Sequence, residues 1–201
     1  MRLMIKETPD SPRMFESDFF DLFSRTHPAV VPILFVPATL ALLWYSVARA
    51  GVGVLTTAVV WLAGVAAWSF IEYWLHRTFF HWVPKLPGGD RLHFLVHGVH
   101  HNWPRDKYRL VMPPAVSITV FWVFLALDTA LLGRTYNWAF QAGLTVGYMT
   151  YDLTHYYIHH FNPKSQYGLA LKKHHMLHHF KDSTRRFGVS SRFWDHVFGT
   201  G

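Results

Sequence analysis

The chain has 201 residues, of which 51% are hydrophobic, 17% aromatic and only 15% charged, whereas charged residues make up roughly a quarter of a soluble domain; the balance points to one compact unit in a membrane. The formal net charge of +7 comes from 19 Lys and Arg against 12 Asp and Glu, which taken alone would suit nucleic acid. The absence of cysteine excludes disulfides, thiolate-ligated clusters and cysteine nucleophiles, and suits a reducing compartment.

Residues 1–28 carry acids and prolines but no uninterrupted apolar core, so they are read as a cytosolic or interfacial segment without a secretory signal. Within them, Met14 to Arg25 alternates aromatic and acidic residues at approximate helical spacing, the pattern of a helix lying in the membrane interface or packing on a cytosolic cap. Four apolar segments follow, about Ala29 to Ala48, Val52 to Ile71, Pro113 to Leu132 and Trp138 to Ile158, each near the roughly 20 residues that a helix needs to cross a bilayer. The connectors Arg49 to Gly51 and Gly133 to Asn137 hold little more than a turn, so the segments pair as two helical hairpins.

The expected fold is therefore all-α and integral to the membrane: four transmembrane helices as two hairpins, with a cytosolic helical cap holding a histidine-rich dimetal site. Residues 1–201 form a single domain, in which 29–158 contain the hairpins and the intervening cap and 159–201 form a histidine-rich tail. Its cations are divided unequally. Four lie before Ala29, six between Glu72 and Met112 and seven from His159 onward, against only Arg49 and Arg134 in the connectors. Short loops rich in Lys and Arg stay cytoplasmic, which puts both termini and the metal site on the cytosolic side. The basic charge is then a matter of topology and of attraction to anionic lipid, and no nucleic-acid partner is expected.

The histidines concentrate in four clusters at or just beyond the apolar segments: His76 and His81; His97, His100 and His101; His155, His159 and His160; His174, His175, His178 and His179. Imidazole is the commonest transition-metal ligand, and a spacing of three or four puts two rings on one helical face. Packed imidazoles in such number, left without metal, would carry many unpaired polar groups. His27, His93 and His196 stand alone and read as polar tips. The zinc-hydrolase pattern H-E-x-x-H is absent, and a zinc site takes four ligands; ten ligands suit two metals of five or six each. Haem would use only one or two axial histidines. An all-nitrogen shell accepts iron, zinc, copper or nickel, and zinc binds it more tightly than ferrous iron.

The order H-x4-H, H-x2-HH, H-x3-HH, H-x2-HH across two hairpins resembles the fatty acid hydroxylase superfamily of membrane di-iron oxygenases, which includes sterol desaturases and carotenoid hydroxylases. The stretches His93 to His101, Asp106 to Pro114 and Phe187 to Thr200 are similar to the sphingolipid fatty acid 2-hydroxylase branch. The resemblance implies metal ligation by His76, His81, His97, His100, His101, His155, His159, His175, His178 and His179, with His93, His160 and His174 as neighbours. It further implies a membrane monooxygenase with two iron ions, replaceable by zinc on purification, and O2 as cosubstrate. The substrate would be a membrane lipid, hydroxylated at carbon 2 of a fatty acid or sphingolipid N-acyl chain.

Ligating imidazoles need an acceptor on the other ring nitrogen. Glu72, four residues before His76, and Asp152, three before His155, are placed for that role or for boundary solvation. Tyr151 and Tyr156 are candidates for hydrogen bonds near the metals or for the interfacial aromatic belt, and Asp128 is expected toward the opposite interface. Aromatic residues including Trp68, Phe121, Phe124 and Tyr148 are candidates to line a lipid slot, and the turn-rich loop Trp82 to Gly89 to act as a lid or connector. Twenty-eight residues before the first span cannot hold a haem domain, so a separate donor such as a cytochrome b5-like or ferredoxin-like carrier is expected on the basic face around Lys172, Lys173, Lys181, Arg185 and Arg186. Two alternatives remain at this point: a sterol, carotenoid or other lipid hydroxylase or desaturase of the same superfamily, and a membrane metal transporter, for which ligands on both faces would be expected.

Overall fold

The computed structural model describes residues 10–201; the first nine, including Arg2 and Lys6 of the N-terminal cationic segment, lie outside the described residues. The described residues contain no strand. Helix α1 spans Asp18–Phe23, α2 Val30–Ala48 and α3 Val54–Trp74, which continues into a π-helical turn at Leu75–Phe80. A cap of short elements follows, with α4 at Gly89–His93, a second π-helical turn at Phe94–Gly98 and α5 at Val99–Asn102. Helix α6 runs through Pro114–His160, α7 through Gln166–Phe180 and α8 through Phe193–Val197.

Three stretches are long and apolar enough to cross a membrane: Val30–Ala48, Val54–Phe80 and Pro114–His160. The third is not straight. Gly133 adopts φ 69 and ψ 176 inside it, a left-handed conformation that a side chain disfavours. Beyond it the chain turns back: Gln141 Nε2 donates to the Phe121 carbonyl at 3.3 Å and Asn137 Nδ2 to Thr129 Oγ1 at 2.8 Å. In an unbroken helix residues 121 and 141 would stand about 30 Å apart. Helix α6 is thus two antiparallel limbs, and the five-residue connector expected after Leu132 shrinks to a single broken position because Arg134 onward is already helical.

The second limb packs against α3 at backbone contact. A Cβ on Gly143 would lie 2.1 Å from the Trp61 carbonyl and one on Gly64 2.2 Å from the Phe140 carbonyl, so glycine on both sides permits the approach. Val31 and Phe35 of α2, Trp68 of α3 and Leu144, Tyr148 and Tyr151 of α6 fill the centre. The outward faces stay apolar, as at Leu55 and Leu131, which are 79% and 81% exposed, the pattern of helices whose solvent is lipid. At one end of this bundle the hairpin α2–α3 is tied by Ser46 Oγ and Thr57 Oγ1 at 3.2 Å. At the other, the cap, α7 and the C-terminal loop gather the histidines.

The N-terminal segment packs on the cap. Arg109, buried, donates to Asp21 Oδ1 at 2.7 Å and to the Pro12 carbonyl at 2.6 Å, while Asp106 accepts from the Ser11 amide at 2.9 Å. The motif between Asp106 and Pro114 therefore holds residues 11–21 in place. Phe19, Phe20, Leu22 and Phe23 of α1 remain exposed. Between Trp82 and Gly88 the chain is irregular and leads into α4.

Candidate metal centre

Ten imidazoles converge in two groups, and within each group one ligand atom per residue lies within 4.8 Å of every other. The first comprises His76, His81, His97, His101 and His178; the second His100, His155, His159, His175 and His179. These ten are the residues expected from the resemblance. His93, His160 and His174 stand outside both groups: His174 Nε2 meets Asp195 Oδ2 at 3.0 Å, and His160 packs on the Tyr156 ring with centroids 4.4 Å apart. His27 and His196 are exposed.

Local geometry explains how each ring arrives. His76 and His81 are five residues apart, which in an α-helix turns them about 140° away from each other. The π-helical turn Leu75–Phe80, with its i→i+5 bonding, brings their ring centroids to 5.1 Å. His97 and His101 are four apart across the second π turn and α5, with centroids at 4.6 Å. Successive residues on a helix diverge by about 100°, so His100 and His101 of α5 serve different groups, as do His178 and His179 of α7. The groups are therefore adjacent, and the His101 and His179 rings stack across them at 4.2 Å.

Nε2 atoms face one another at 3.2 Å in His76–His97, 3.0 Å in His97–His101 and 3.0 Å in His81–His178. In the second group His175 Nε2 lies 2.9 Å from His155, 2.8 Å from His159 and 3.0 Å from His179, and His100 lies 3.0 Å from His179. Two nitrogens about 2.1 Å from one cation and at right angles to each other stand about 3 Å apart. The donor set thus fits a cation in each group. Burial and the neighbouring imidazoles hold His97, His100, His101, His175 and His179 well below the ordinary histidine range. Burial likewise pushes His81 down to about 3 and His178 to about 4. The rings are neutral at physiological pH, the state that ligates.

The supporting contacts differ from those expected. His76 Nδ1 meets the Phe187 carbonyl at 2.5 Å and His178 Nδ1 the Arg185 carbonyl at 2.6 Å, which orients both rings with Nε2 inward. Arg186, between these carbonyls, takes φ 65, the left-handed region that a non-glycine residue rarely occupies. Glu72 does not reach His76. It accepts from the Val189 and Ser190 amides at 2.8 Å each and from the Ser190 hydroxyl, pinning the loop whose Phe187 carbonyl meets His76. Asp152 does not reach His155 either: its Oδ2 accepts from the Met112 amide at 3.1 Å and Tyr148 OH at 3.0 Å. Tyr151 is buried with its ring 5.7 Å from that of His155.

Asp195 had no sequence-assigned role. It accepts from the Phe187 and Gly188 amides at 2.9 and 2.7 Å and from Thr200 Oγ1 at 2.7 Å, closing the C-terminal loop onto α7. Its place in the Phe187 to Thr200 stretch was the one available signal.

A cavity of about 660 Å³ reaches both groups, touching His97 of the first and His100 and His155 of the second. Its walls are apolar, with Phe35, Trp68, Phe121, Phe124, Leu144 and Tyr148 among them. Trp122, next to Phe121 in sequence, faces outward, 61% exposed. Tyr73 and Trp74 instead pack on Phe198, and Phe70 on Trp194.

Residues 61–200 match the fatty acid hydroxylase family. The chain belongs to the fatty acid hydroxylase family. Among the relatives of this hydroxylase, the dihydroceramide fatty acyl 2-hydroxylase FAH1 of Arabidopsis thaliana is 36% identical over 193 residues, which cover 96% of this chain and 81% of that protein. The ceramide very long chain fatty acid hydroxylase SCS7 of Saccharomyces cerevisiae is 39% identical over 186 residues, 91% of this chain and 48% of that one. The solved structure of full-length scs7p, in which only the hydroxylase domain is visible, superposes with a TM-score of 0.85 at 38% identity, covering 91% of this chain and 69% of that one. The chain is accordingly an enzyme of a lipid-hydroxylating family.

Proposed function

We propose that this hydroxylase inserts one oxygen atom of O2 at carbon 2 of a fatty acyl chain, carried by a ceramide-type sphingolipid or as a free fatty acid. The observation that carries the reading is the apolar cavity that ends on His97, His100 and His155, one ring of the first group and two of the second. An acyl chain fills such a slot by apolar burial and presents carbons near its head to the imidazole groups. The fatty acyl 2-hydroxylase name of the Arabidopsis relative supports carbon 2.

The ten histidines would hold two iron ions, five imidazoles each, and zinc would compete for them during purification. Bound iron would supply the activation of dioxygen and the removal of a hydrogen from carbon 2. The protein's own part is to orient the chain and exclude water. Tyr148, Tyr151 and Asp152 line the inner wall, and the bond from Tyr148 OH to Asp152 keeps two polar groups from competing for water beside the ligands.

Overall balance requires a C–H bond, O2, two electrons and two protons to give an alcohol and water. The electrons come from a carrier protein. The Arg185–Phe187 backbone, hydrogen-bonded to His76 and His178, is a covalent and hydrogen-bonded link from the first group to the basic surface at Arg185, and it does not line the cavity. Donor and substrate would therefore approach from different sides. The two limbs of α6 make four membrane crossings in all, and the crowding of cations outside the connectors favours cytosolic termini and metal centre.

The test is mass spectrometry of acyl lipids from cells supplied with 18O2 and a compatible carrier, expressing the wild type or His155→Ala. Label at carbon 2 in the wild type alone is the expected result. Histidine-dependent label or unsaturation elsewhere on the chain, or in a sterol or carotenoid, would overturn the assignment to carbon 2 and reassign the enzyme within its family.

A further inference from the structure

Among the described residues, the connectors at one end of the bundle carry two cations, Arg49 after α2 and Arg134 after the break in α6. They come from different hairpins, yet the fold sets both in the wall of one open groove of about 740 Å³, with Tyr45, Trp122, Leu125 and Trp138. We propose that this groove binds one anionic phospholipid, its phosphate between the two guanidinium groups and an acyl chain along the first limb of α6. The proposal rests on the reading that both connectors share one membrane face; it does not depend on the reaction.

Neither arginine forms an ion pair among the described residues. Arg49 only overlies the Trp44 ring, 5.7 Å from its centroid. A guanidinium without an acid in a groove at the membrane boundary offers a fork of donors matched to phosphate oxygens. The aromatic floor is held in place: Trp138 Nε1 donates to the Arg134 carbonyl at 2.7 Å, and the Trp138 and Tyr45 rings lie 4.4 Å apart. Indole and phenol at this level suit the headgroup region.

The groove continues along the helix. Trp122, Leu125, Ala126 and Thr129 line it, spaced i, i+3, i+4 and i+7, which is one continuous helical face about 10 Å long. That stripe leads from the arginines toward mid-bilayer, the path of a lipid tail and not of a free anion. Two cations facing one phosphate favour a headgroup with net negative charge over one carrying its own ammonium. Contact with both connectors would clamp the hairpins together at the end farthest from the histidines.

Because the cytosolic face is also basic, the experiment has to report position. Full-length protein in mild detergent is irradiated with phosphatidylglycerol bearing a photoreactive acyl chain, and the cross-linked peptides are mapped. The expected result is labelling within residues 122–138, suppressed by unlabelled phosphatidylglycerol and far less by phosphatidylcholine of the same chain length or by glycerol phosphate. Arg49→Gln and Arg134→Gln each weaken labelling about fivefold and together about thirtyfold, while Lys173→Gln on the other face leaves this peptide's labelling unchanged. Equal competition by phosphatidylcholine, displacement by glycerol phosphate, or undiminished labelling in a folded double variant would overturn the proposal. Where the double variant fails to fold, the competition series on the wild type decides alone.

Discussion

In the group around His97, two rings are held from behind: the Phe187 carbonyl takes His76 Nδ1 and the Arg185 carbonyl takes His178 Nδ1. In the group around His175, the Nδ1 atoms of His175 and His179 are buried without a hydrogen-bond partner among the described residues. Both groups offer five nitrogens, and both draw on α5 and α7. The difference lies in what steadies the rings. A partner on the outer nitrogen fixes tautomer and orientation, and its loss typically costs 10-fold to 100-fold in metal affinity. The first group has that brace from the C-terminal loop; the second relies on packing between α6 and α7.

The largest effect expected concerns a ligand shared by many contacts. Replacing His175 by Ala removes the ring whose Nε2 faces those of His155, His159 and His179; product is expected to vanish, and metal content measured by elemental analysis to fall from two ions to one. Retention of two ions and of turnover would refute the grouping. A graded chelator titration sharpens the comparison: the second group should release its metal first, at roughly 10-fold to 100-fold lower chelator activity, with simultaneous loss showing that the brace does not matter.

Glu72→Gln should touch the first group alone. It leaves one oxygen for the Val189 and Ser190 amides but replaces the acceptor of the Ser190 hydroxyl by an NH2 donor and removes the charge to which all three bond, a loss of about 1 to 3 kcal/mol. First-group occupancy should drop while second-group occupancy holds, read by elemental analysis after dialysis against weak chelator. Acid should weaken the metal-free protein. The folded values of about 3 for His81 and about 4 for His178 lie below the ordinary 6.5. The stability they contribute is present above pH about 6.5 and fades as pH falls from there toward 4 and 3, because the unfolded chain binds protons first. Thermal unfolding across that range checks the sign; a melting temperature that rises on acidification would contradict it. The smallest effect is expected at His196, exposed and outside both groups, where Ala should leave metal content unchanged.

Much of the site was legible because double-histidine steps and three- or four-residue spacings translate directly into shared helical faces. His97 with His101, and His175 with His179, follow that rule. His76 with His81 does not, since five residues span more than one α-turn; the π-helical turn that reconciles them leaves no simple mark in composition. Glu72 and Asp152 show the limit of reasoning along one helix. Both sit at the right spacing for a histidine, yet each is taken by backbone amides arriving from distant sequence, Glu72 by the loop at Val189 and Ser190 and Asp152 by Met112.

By itself the sequence determined the apolar helices, the reversal near Gly133 and the histidine clusters at one end, because hydrophobic length, glycine and helical periodicity are local properties; the choice of ten ligands among those histidines came from the family resemblance. Which imidazole joins which group, which carbonyls brace them and where the acyl-sized cavity ends were decided only by the tertiary structure. Those assignments depend on contacts such as His81 with His178 and His76 with Phe187, and no local preference along the chain encodes a contact between segments that meet only after the helices have packed.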